Sequence, residues 1–306
     1  MRLVISLGVP QLIIAFVSVV FNVAVILTII YSKELHKPIF VLFCNLAISD
    51  LLCSSSGFWI AVLFVNEPES TVDGSRALLV AYTFYAISVL ATIYNLVTIG
   101  VERYLAVAQS LKMRCRVTRN QTLAVALVIW VLAAILGFMP LMGWNCLGKK
   151  WTSALYSPLC IDYLIFITAP HSVVAFILPF FTYLSIIRFL RKQKMTMGAL
   201  GQSLTTYRLA EIQVVRTGIF IWLLALISYA PFFVGVIFDA VTCQNPRKLT
   251  PSVYVFRNLT AILVTMNSLG NPIVYTLKMK KLGDRLKVLK CSSNNRIEPL
   301  GICNLA

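Results

Sequence analysis

The sequence predicts an all-α membrane protein: a seven-transmembrane helix bundle followed by a short amphipathic eighth helix. Three observations carry that expectation. Hydrophobic residues make up 59% of the 306 positions and charged residues only 12%, where soluble domains run near half and a quarter. The apolar residues arrive in blocks of about 20 or more, each long enough to cross a hydrocarbon layer about 30 Å thick. The stretches between blocks are short and polar, so no soluble domain is inserted. A water-soluble enzyme is disfavoured by that balance. With two His and eight Cys in the chain, there is no material for a structural zinc cluster or a dense disulfide framework.

Taken in order, the predicted spans cover 8–31, 39–65, 75–109, 121–143, 164–191, 209–241 and 251–276. The bundle is expected over 1–276, an amphipathic membrane-surface helix over 277–291 and a short cytosolic tail over 292–306. The opening run is longer than a signal-peptide core and shows no small-residue cleavage site, so it reads as a retained first helix. Lys and Arg resist translocation and gather on the cytosolic side. Of the 27 Lys and Arg, twenty fall on one side of the bundle and seven on the other. The N-terminus is therefore expected outside and the C-terminus in the cytosol. The formal charge of +16 then needs no nucleic acid: it forms a basic rim suited to anionic membrane lipids and an acidic partner surface.

Ionisable groups at membrane depth are costly, about 2.5 to 3.5 kcal/mol each on insertion scales, so each needs a partner or a task. Asp50, closing Asn45-Leu-Ala-Ile-Ser-Asp50, is the deepest. Helical spacing could set it beside Asn22, Thr92, Asn267, Ser268 and Asn271. A carboxylate ringed by amides and hydroxyls suits a small hard cation such as sodium; a packing node that never binds an ion fits the spacing equally well. Glu102-Arg103-Tyr104 closes the third span at the basic side. It reads as a solvated helix end or, because Glu211 opens the sixth span on the same side, as an arginine bridged to two helices whose release acts as a switch.

Asn271-Pro272-Ile-Val-Tyr275 stands near the inner end of the seventh span. There Pro272 removes a backbone donor and kinks the helix while Asn271 can satisfy a freed carbonyl. Pro140, Pro179 and Pro231 are expected to interrupt spans four, five and six. Leu282, Leu286 and Leu289, with Lys and Arg around them, give the amphipathic helix its apolar face. Cys291 follows as a lipidation site.

Together these residues resemble a rhodopsin-like, class A, G-protein-coupled receptor over nearly the whole chain. Asn22 matches the family's first-helix asparagine, Asn45 to Asp50 the second-helix motif, Glu102-Arg103-Tyr104 the Asp/Glu-Arg-Tyr motif and Trp130 the fourth-helix tryptophan. Pro231 matches the sixth-helix proline and Asn271-Pro-Ile-Val-Tyr275 the seventh-helix motif. The resemblance implies an extracellular ligand signal passed to a heterotrimeric G protein, a plasma-membrane location, no enzymatic activity and no cofactor, a sodium ion at Asp50 being left open by the residues themselves. Arg103, released from Glu102 and Glu211, would meet the G protein, with Tyr104, Asn271, Pro272 and Tyr275 in the switch.

Within the family the cysteines narrow the choice. The family's cysteine at the outer end of helix three is absent from Ser75-Arg-Ala-Leu-Leu-Val80, while the second outer loop carries Cys146 and Cys160, which could close a loop on themselves in an oxidising exterior. That pattern, with Met142-Gly-Trp-Asn-Cys146, His36-Lys-Pro-Ile and Asn271-Pro-Ile-Val-Tyr-Thr-Leu277, is similar to the lysophospholipid and cannabinoid receptors. The family's pocket residues correspond here to Tyr82, Tyr85, Ser88, Val89, Tyr229, Phe232, Phe233, Val236 and Ala261, with Arg257 and Asp239 at the rim. They are mostly aromatic and apolar, which implies a lipid-like or other apolar ligand, or else a filled bundle core.

The departures bear on which ligand and which switch. Tyr85 stands where an amine receptor has aspartate, Thr265 where a photoreceptor has lysine and Val236 where an adenosine receptor has asparagine. Ala81 and Tyr82 replace the phosphate-gripping pair of lysophospholipid receptors. Tyr229 replaces the sixth-helix tryptophan, Ala225 the aromatic one turn below, and Ile186 or Ile187 the fifth-helix tyrosine. A constitutively active or degenerate receptor of the same family is therefore the alternative. A transporter or channel would need several buried charges or repeated halves, neither of which is visible. An intramembrane hydrolase would need a second acid at the depth of Asp50, or a base beside a serine.

Overall fold

The structure is a computed structural model that describes residues 2–109, 117–148, 153, 155–199, 206–242, 251–278 and 282–284. Long helices dominate the described residues: α1 (Arg2–Tyr31), α2 (Pro38–Asn66), α3 (Arg76–Gln109), α4 (Arg119–Phe138), α5 (Ala169–Ala199), α6 (Thr206–Thr242) and α7 (Pro251–Lys278). A 3-10 turn, Lys33–Leu35, joins α1 to α2, and a one-turn helix, Ser70–Asp73, lies between α2 and α3. A short helix, Ile161–Tyr163, and a π-helical stretch, Leu164–Thr168, lead directly into α5. Among the described residues six spans, those built on α1 to α6, are long and apolar enough to cross a membrane. The remaining long helix, α7, is the polar one, carrying Arg257, Asn258, Thr260, Thr265, Asn267, Ser268 and Asn271.

Burial runs opposite to that of a soluble domain. Asn22, Asp50, Ser54, Thr92, Asn95, Asn267 and Ser268 are buried, whereas Phe16, Leu127, Val128, Phe166 and Ile227 are exposed. Only an apolar solvent makes that arrangement favourable, because lipid costs nothing against leucine and a great deal against an amide. The packing closes on itself: α1 lies against α2 and α7, α6 against α7 and α5, and α3 against α2, α4, α5 and α6. α3 is therefore the central rod.

Local sequence explains where several helices begin and stop. Pro38 sits in the first turn of α2, where its missing N–H costs nothing. Thr118 and Gln121 form a reciprocal capping box that starts α4. α4 ends at Phe138, five residues short of the predicted span. Pro140 thus lies in the following turn instead of interrupting a helix, as the bias against helix before proline dictates. Pro179, Pro231 and Pro272 do lie inside α5, α6 and α7, and so does Pro10 inside α1. Gly137 lets α4 approach α3 closely, since a Cβ there would stand 2.3 Å from Ile87 Cγ1.

Buried amides join the rods. Asn45 donates to Asn95 Oδ1 at 2.7 Å and accepts from Trp130 Nε1 at 2.8 Å, tying α2, α3 and α4 at one point. Asn22 donates to the Ser18 and Ser268 carbonyls at 2.9 and 3.0 Å, fastening α1 to α7. Ser18 and Ser54 share a 2.7 Å bond between α1 and α2. Replacing Asn45 by Leu should strip two side-chain partners at once, at roughly 1 to 3 kcal/mol for each polar group left buried and unpaired. The expected outcome is a clearly lower thermal midpoint in detergent or nanodiscs, and a midpoint equal to the parent's would show that the node carries no stability.

Candidate functional site

Three sites lie along the bundle axis: a buried ion pair at the end of α3 that carries Arg103, a polar core at mid-depth, and a cleft under the disulfide loop at the opposite end. At the first, Arg103 and Glu102 are both buried, and the guanidinium meets the carboxylate through Nε to Oε2 and Nη2 to Oε1. The pair therefore is not a solvated helix end. Tyr104, next in sequence, points outward and is 43% exposed. Glu211 lies in the first turns of α6, and its side chain is outside the described residues, as are Cys291 and most of 277–291. Of that stretch, residues 282–284 are helical and Leu282 is buried in the core.

Tyr183 of α5, a residue the sequence reading did not single out, is buried close to the Glu102–Arg103 pair. Its hydroxyl is accommodated by Gly218 of α6, where a Cβ would stand 2.5 Å away. Its ring lies 6.3 Å from Trp222, whose Nε1 donates to the Ala175 carbonyl at 3.3 Å. Ile186, the expected occupant of the fifth-helix tyrosine position, is fully buried one turn along. On the other side, Gln213 of α6 donates to the Lys278 carbonyl of α7, and the Lys278 ammonium sits 4.6 Å over the Phe220 ring. Tyr275 is buried with its ring 4.8 Å from Phe43 of α2.

The polar core gathers residues from four helices. Asn271 donates to Asp50 Oδ2 at 2.8 Å, so the α7 motif and the α2 motif meet directly. Thr92 of α3 donates to Ser49 Oγ at 3.1 Å. Around them, Asp50 Oδ1, Asn271 Oδ1, Ser268 Oγ, both amide atoms of Asn267 and the Tyr229 hydroxyl are buried with no hydrogen-bond partner in the protein. One orphaned buried polar group costs about 1 to 3 kcal/mol, so this many in one place calls for a shared occupant. The donor set is hard oxygen around one carboxylate, which fits a small hard cation with its water. Among the described residues no group of three or more His, Cys, Asp or Glu could hold a metal ion.

The cleft takes in Tyr82, Tyr85, Val89, Phe232, Arg257 and Ala261 of the predicted pocket residues. Ser88, Tyr229, Phe233 and Val236 do not line it. Ser88 turns its hydroxyl to the Tyr85 carbonyl at 2.6 Å, and Phe233 lies 6.4 Å from Tyr229, deeper in the core. Arg257 is buried, not set at a solvated rim: it donates to the Thr71 carbonyl and Oγ1 at 2.8 and 3.0 Å and lies 5.7 Å over the Phe64 ring. Asp239 is buried as well, and its carboxylate accepts from Ser153 Oγ and from the Leu155 amide. α6 thereby holds the loop that roofs the cleft.

That loop carries a disulfide between Cys146 and Cys160, with Cα atoms 5.0 Å apart. Cys146 N donates to the Pro158 carbonyl at 3.0 Å, and Asn145 pairs with Leu159 in an isolated antiparallel bridge. Tyr156 enters the cleft from the loop and stacks 5.0 Å from Phe232. Burial raises its hydroxyl pKa well above the ordinary phenol value, so it stays neutral at any physiological pH.

Residues 21–275 match the model of the 7 transmembrane receptor (rhodopsin family). The chain belongs to that family. Lysophosphatidic acid receptor 1 of Mus musculus is 23% identical over 294 residues, covering 96% of this chain and 78% of that receptor. The Homo sapiens receptor of the same name is 24% identical over 290 residues, covering 95% and 76%. Lysophosphatidic acid receptor 3 of Rattus norvegicus is 23% identical over 271 residues, covering 88% and 74%. The family is one of receptors and not of enzymes, and its members are multi-pass proteins of the plasma membrane.

Seen on the receptor's helices, the cleft contains groups that spacing alone missed: Tyr156 and Leu159 from the loop, Thr71 from the one-turn helix, and Ile167 and His171 on either side of the start of α5. The one available signal was Tyr156 itself, an aromatic between two loop cysteines. His171 bonds its own helix through Nδ1 to the Ile167 carbonyl, at the end of the π-helical stretch. Exchanging Cys146 for Ser opens a loop of 14-residue separation, for which chain-entropy reasoning gives about 3 kcal/mol. Less receptor at the cell surface and a lower thermal midpoint are the expected results; delivery and melting identical to the parent's would mean that the polar contacts hold the loop without the disulfide.

Proposed function

We propose that this receptor binds an extracellular lipid-like or other apolar ligand in the cleft and activates a heterotrimeric G protein at the Arg103 end, with its N-terminus outside and its C-terminus in the cytosol. One observation carries the ligand class: the walls of the cleft are aromatic and aliphatic from α2, α3, α6, the roofing loop and the π-helical stretch before α5, with Arg257 as the cationic group among its lining residues. Apolar contact at about 25 cal/mol per Å² supplies affinity there without specific polar partners. The lysophosphatidic acid receptors among its relatives support a lipid, while Ala81 and Tyr82 in place of a phosphate-gripping pair leave head-group recognition to other residues.

On this reading, Glu102 holds Arg103 in the resting state and Glu211 adds a second restraint from α6. Ligand contact at Phe232 and Tyr156 loosens α6 against α3, and the freed guanidinium meets the partner together with Tyr104, Asn271, Pro272 and Tyr275. The polar core holds a sodium ion on Asp50, Asn267, Ser268 and Asn271, with Thr92 beside them; the ion supplies the positive charge that offsets the buried Asp50 carboxylate. Cys291 is the acylation site that fastens the amphipathic helix 277–291 to the inner leaflet.

Reconstituted receptor screened against a lipid library, with guanine-nucleotide exchange read on a panel of Gα subunits, tests the whole proposal. Filling the cleft with Ala261→Phe should weaken the potency of any active lipid by about tenfold or more while expression is retained; unchanged potency would move the ligand elsewhere. Arg103→Ala should abolish exchange. Glu211→Ala should raise ligand-free exchange, and a basal rate equal to the parent's at equal expression would remove Glu211 from the restraint.

A further inference from the structure

The residue at the boundary between the cleft and the polar core is Tyr229, a phenol in place of the indole that the family pattern sets there. It is almost completely buried, with its ring in the same apolar cluster as Tyr85, Val89 and Phe233. Its hydroxyl has the Thr92 hydroxyl and the Asn267 amide as polar neighbours, with the Asp50 carboxylate in the same core, yet it meets the geometry of a hydrogen bond to none of them. Asn267, Ser268, Asn271 and Asp50 carry further orphaned atoms of this core. α2, α6 and α7 thus each bring to it a buried oxygen without a protein partner.

A phenol oxygen keeps a lone pair for a cation while its proton goes to a neighbouring acceptor, whereas an indole N–H is a donor only and can ligate no cation. Placing a phenol at this point therefore changes the donor set of the core and not merely the shape of its ceiling. The Tyr85, Tyr156 and Tyr275 hydroxyls are buried without a hydrogen-bond partner as well, so what singles out Tyr229 is its place next to Thr92 and Asn267 of the polar core.

We propose that the Tyr229 hydroxyl is an additional oxygen donor to the cation held at Asp50, so that α6 is itself part of the ion site. This rests on the sodium reading of the polar core. The consequence is a direct line from ligand to ion. Phe232 lines the cleft, its ring lies 5.3 Å from that of Phe233, and Phe233 lies 6.4 Å from Tyr229. Pro231 stands within this run of α6, where the helix lacks a backbone donor and turns most easily. A ligand that displaces Phe232 rotates Tyr229 and withdraws its oxygen from the core, which weakens ion binding; by reciprocity, the ion opposes that displacement.

The test uses purified full-length receptor in nanodiscs, with thermal unfolding followed against NaCl at constant ionic strength made up with choline chloride. No ligand or G protein is needed. The parent should show a saturable rise in midpoint with sodium, and Asp50→Asn should show none. Tyr229→Phe should need about tenfold more sodium for half the effect, and Tyr229→Trp should behave likewise. In the Asp50→Asn background, Tyr229→Phe should change the sodium response no further. A half-effect in Tyr229→Phe and Tyr229→Trp equal to the parent's would overturn the proposal while leaving sodium at Asp50 intact, assigning the hydroxyl to water. A parent with no sodium response would remove the ion site and this proposal together.

Discussion

Inside a hydrocarbon layer a side-chain amide, hydroxyl or carboxylate has no water to turn to, so each must find its partner on another helix. The bundle is organised around that single constraint. Asn271 on Asp50 joins α7 to α2, Asn22 on the Ser268 carbonyl joins α7 to α1, and Asn45 joins α2 to α3 and α4. Exclusion of water cannot choose between helix registers when the surrounding solvent is as apolar as leucine. The polar contacts can, because a one-residue slip would leave several amides buried and unpaired at once. Specific association therefore comes from the polar residues together with close packing at small ones such as Gly137 and Gly218, while the exposed apolar residues keep the rods in the membrane.

The same constraint locates the places that are not fully satisfied. Tying α2 to α7 at Asp50 uses one carboxylate oxygen and leaves the other without a protein partner. The nodes at Asn45 and Asn95 make complementary donor and acceptor pairs, so they suit fixed structure. The core around Asp50 has more acceptors than donors facing it, so its energy depends on what occupies it. The satisfied node lies wholly on α2, α3 and α4, whereas the core around Asp50 is shared between α2 and the helices α6 and α7. Of the four prolines inside the long helices, Pro179, Pro231 and Pro272 lie in α5, α6 and α7, and Pro10 lies in α1.

How much of this was legible in the sequence follows from what is local and what is not. The spans could be read because membrane thickness fixes the length of each apolar block, and residues such as Asp50 and Asn271 stood out because a polar group in such a block needs a reason. The burial of Arg257 was not legible. A single arginine near the end of a span reads as solvated, and its contacts to Thr71 and Phe64 lie 186 and 193 positions away in the chain. The roofing role of Tyr156 depended on Asp239 reaching Ser153, a pairing of two isolated polar residues with no periodic signature. Tyr183 was missed because the family pattern directs attention one turn further along α5, and only the space left by Gly218 of α6 shows why a phenol fits where it stands. The short α4 is a failure of a different kind: hydropathy continues through Pro140, but backbone geometry does not.

Magnitudes limit how such a receptor can be switched. Moving a two-state equilibrium from 1:99 to 99:1 takes about 5.5 kcal/mol of differential binding. A ligand that touches only apolar surface at about 25 cal/mol per Å² must then bury roughly 200 Å² more in one state than in the other. That difference has to arise on an element which both lines the cleft and moves, since contacts to immobile helices count equally in both states and shift nothing. On the proposed reading α6 meets both conditions. It presents Phe232 to the cleft, holds the roof through Asp239, and runs on to Gly218 and Gln213 at the opposite end. The roof would add to the available difference, because Asp239 of α6 clasps Ser153 and Leu155 beside Tyr156, so that on the proposed reading a ligand held beneath it gains or loses contact with both together. On the proposed reading a purely apolar ligand would therefore suffice for switching without a charged head group, provided that its contacts fall on Phe232 and Tyr156 and not on α3 alone.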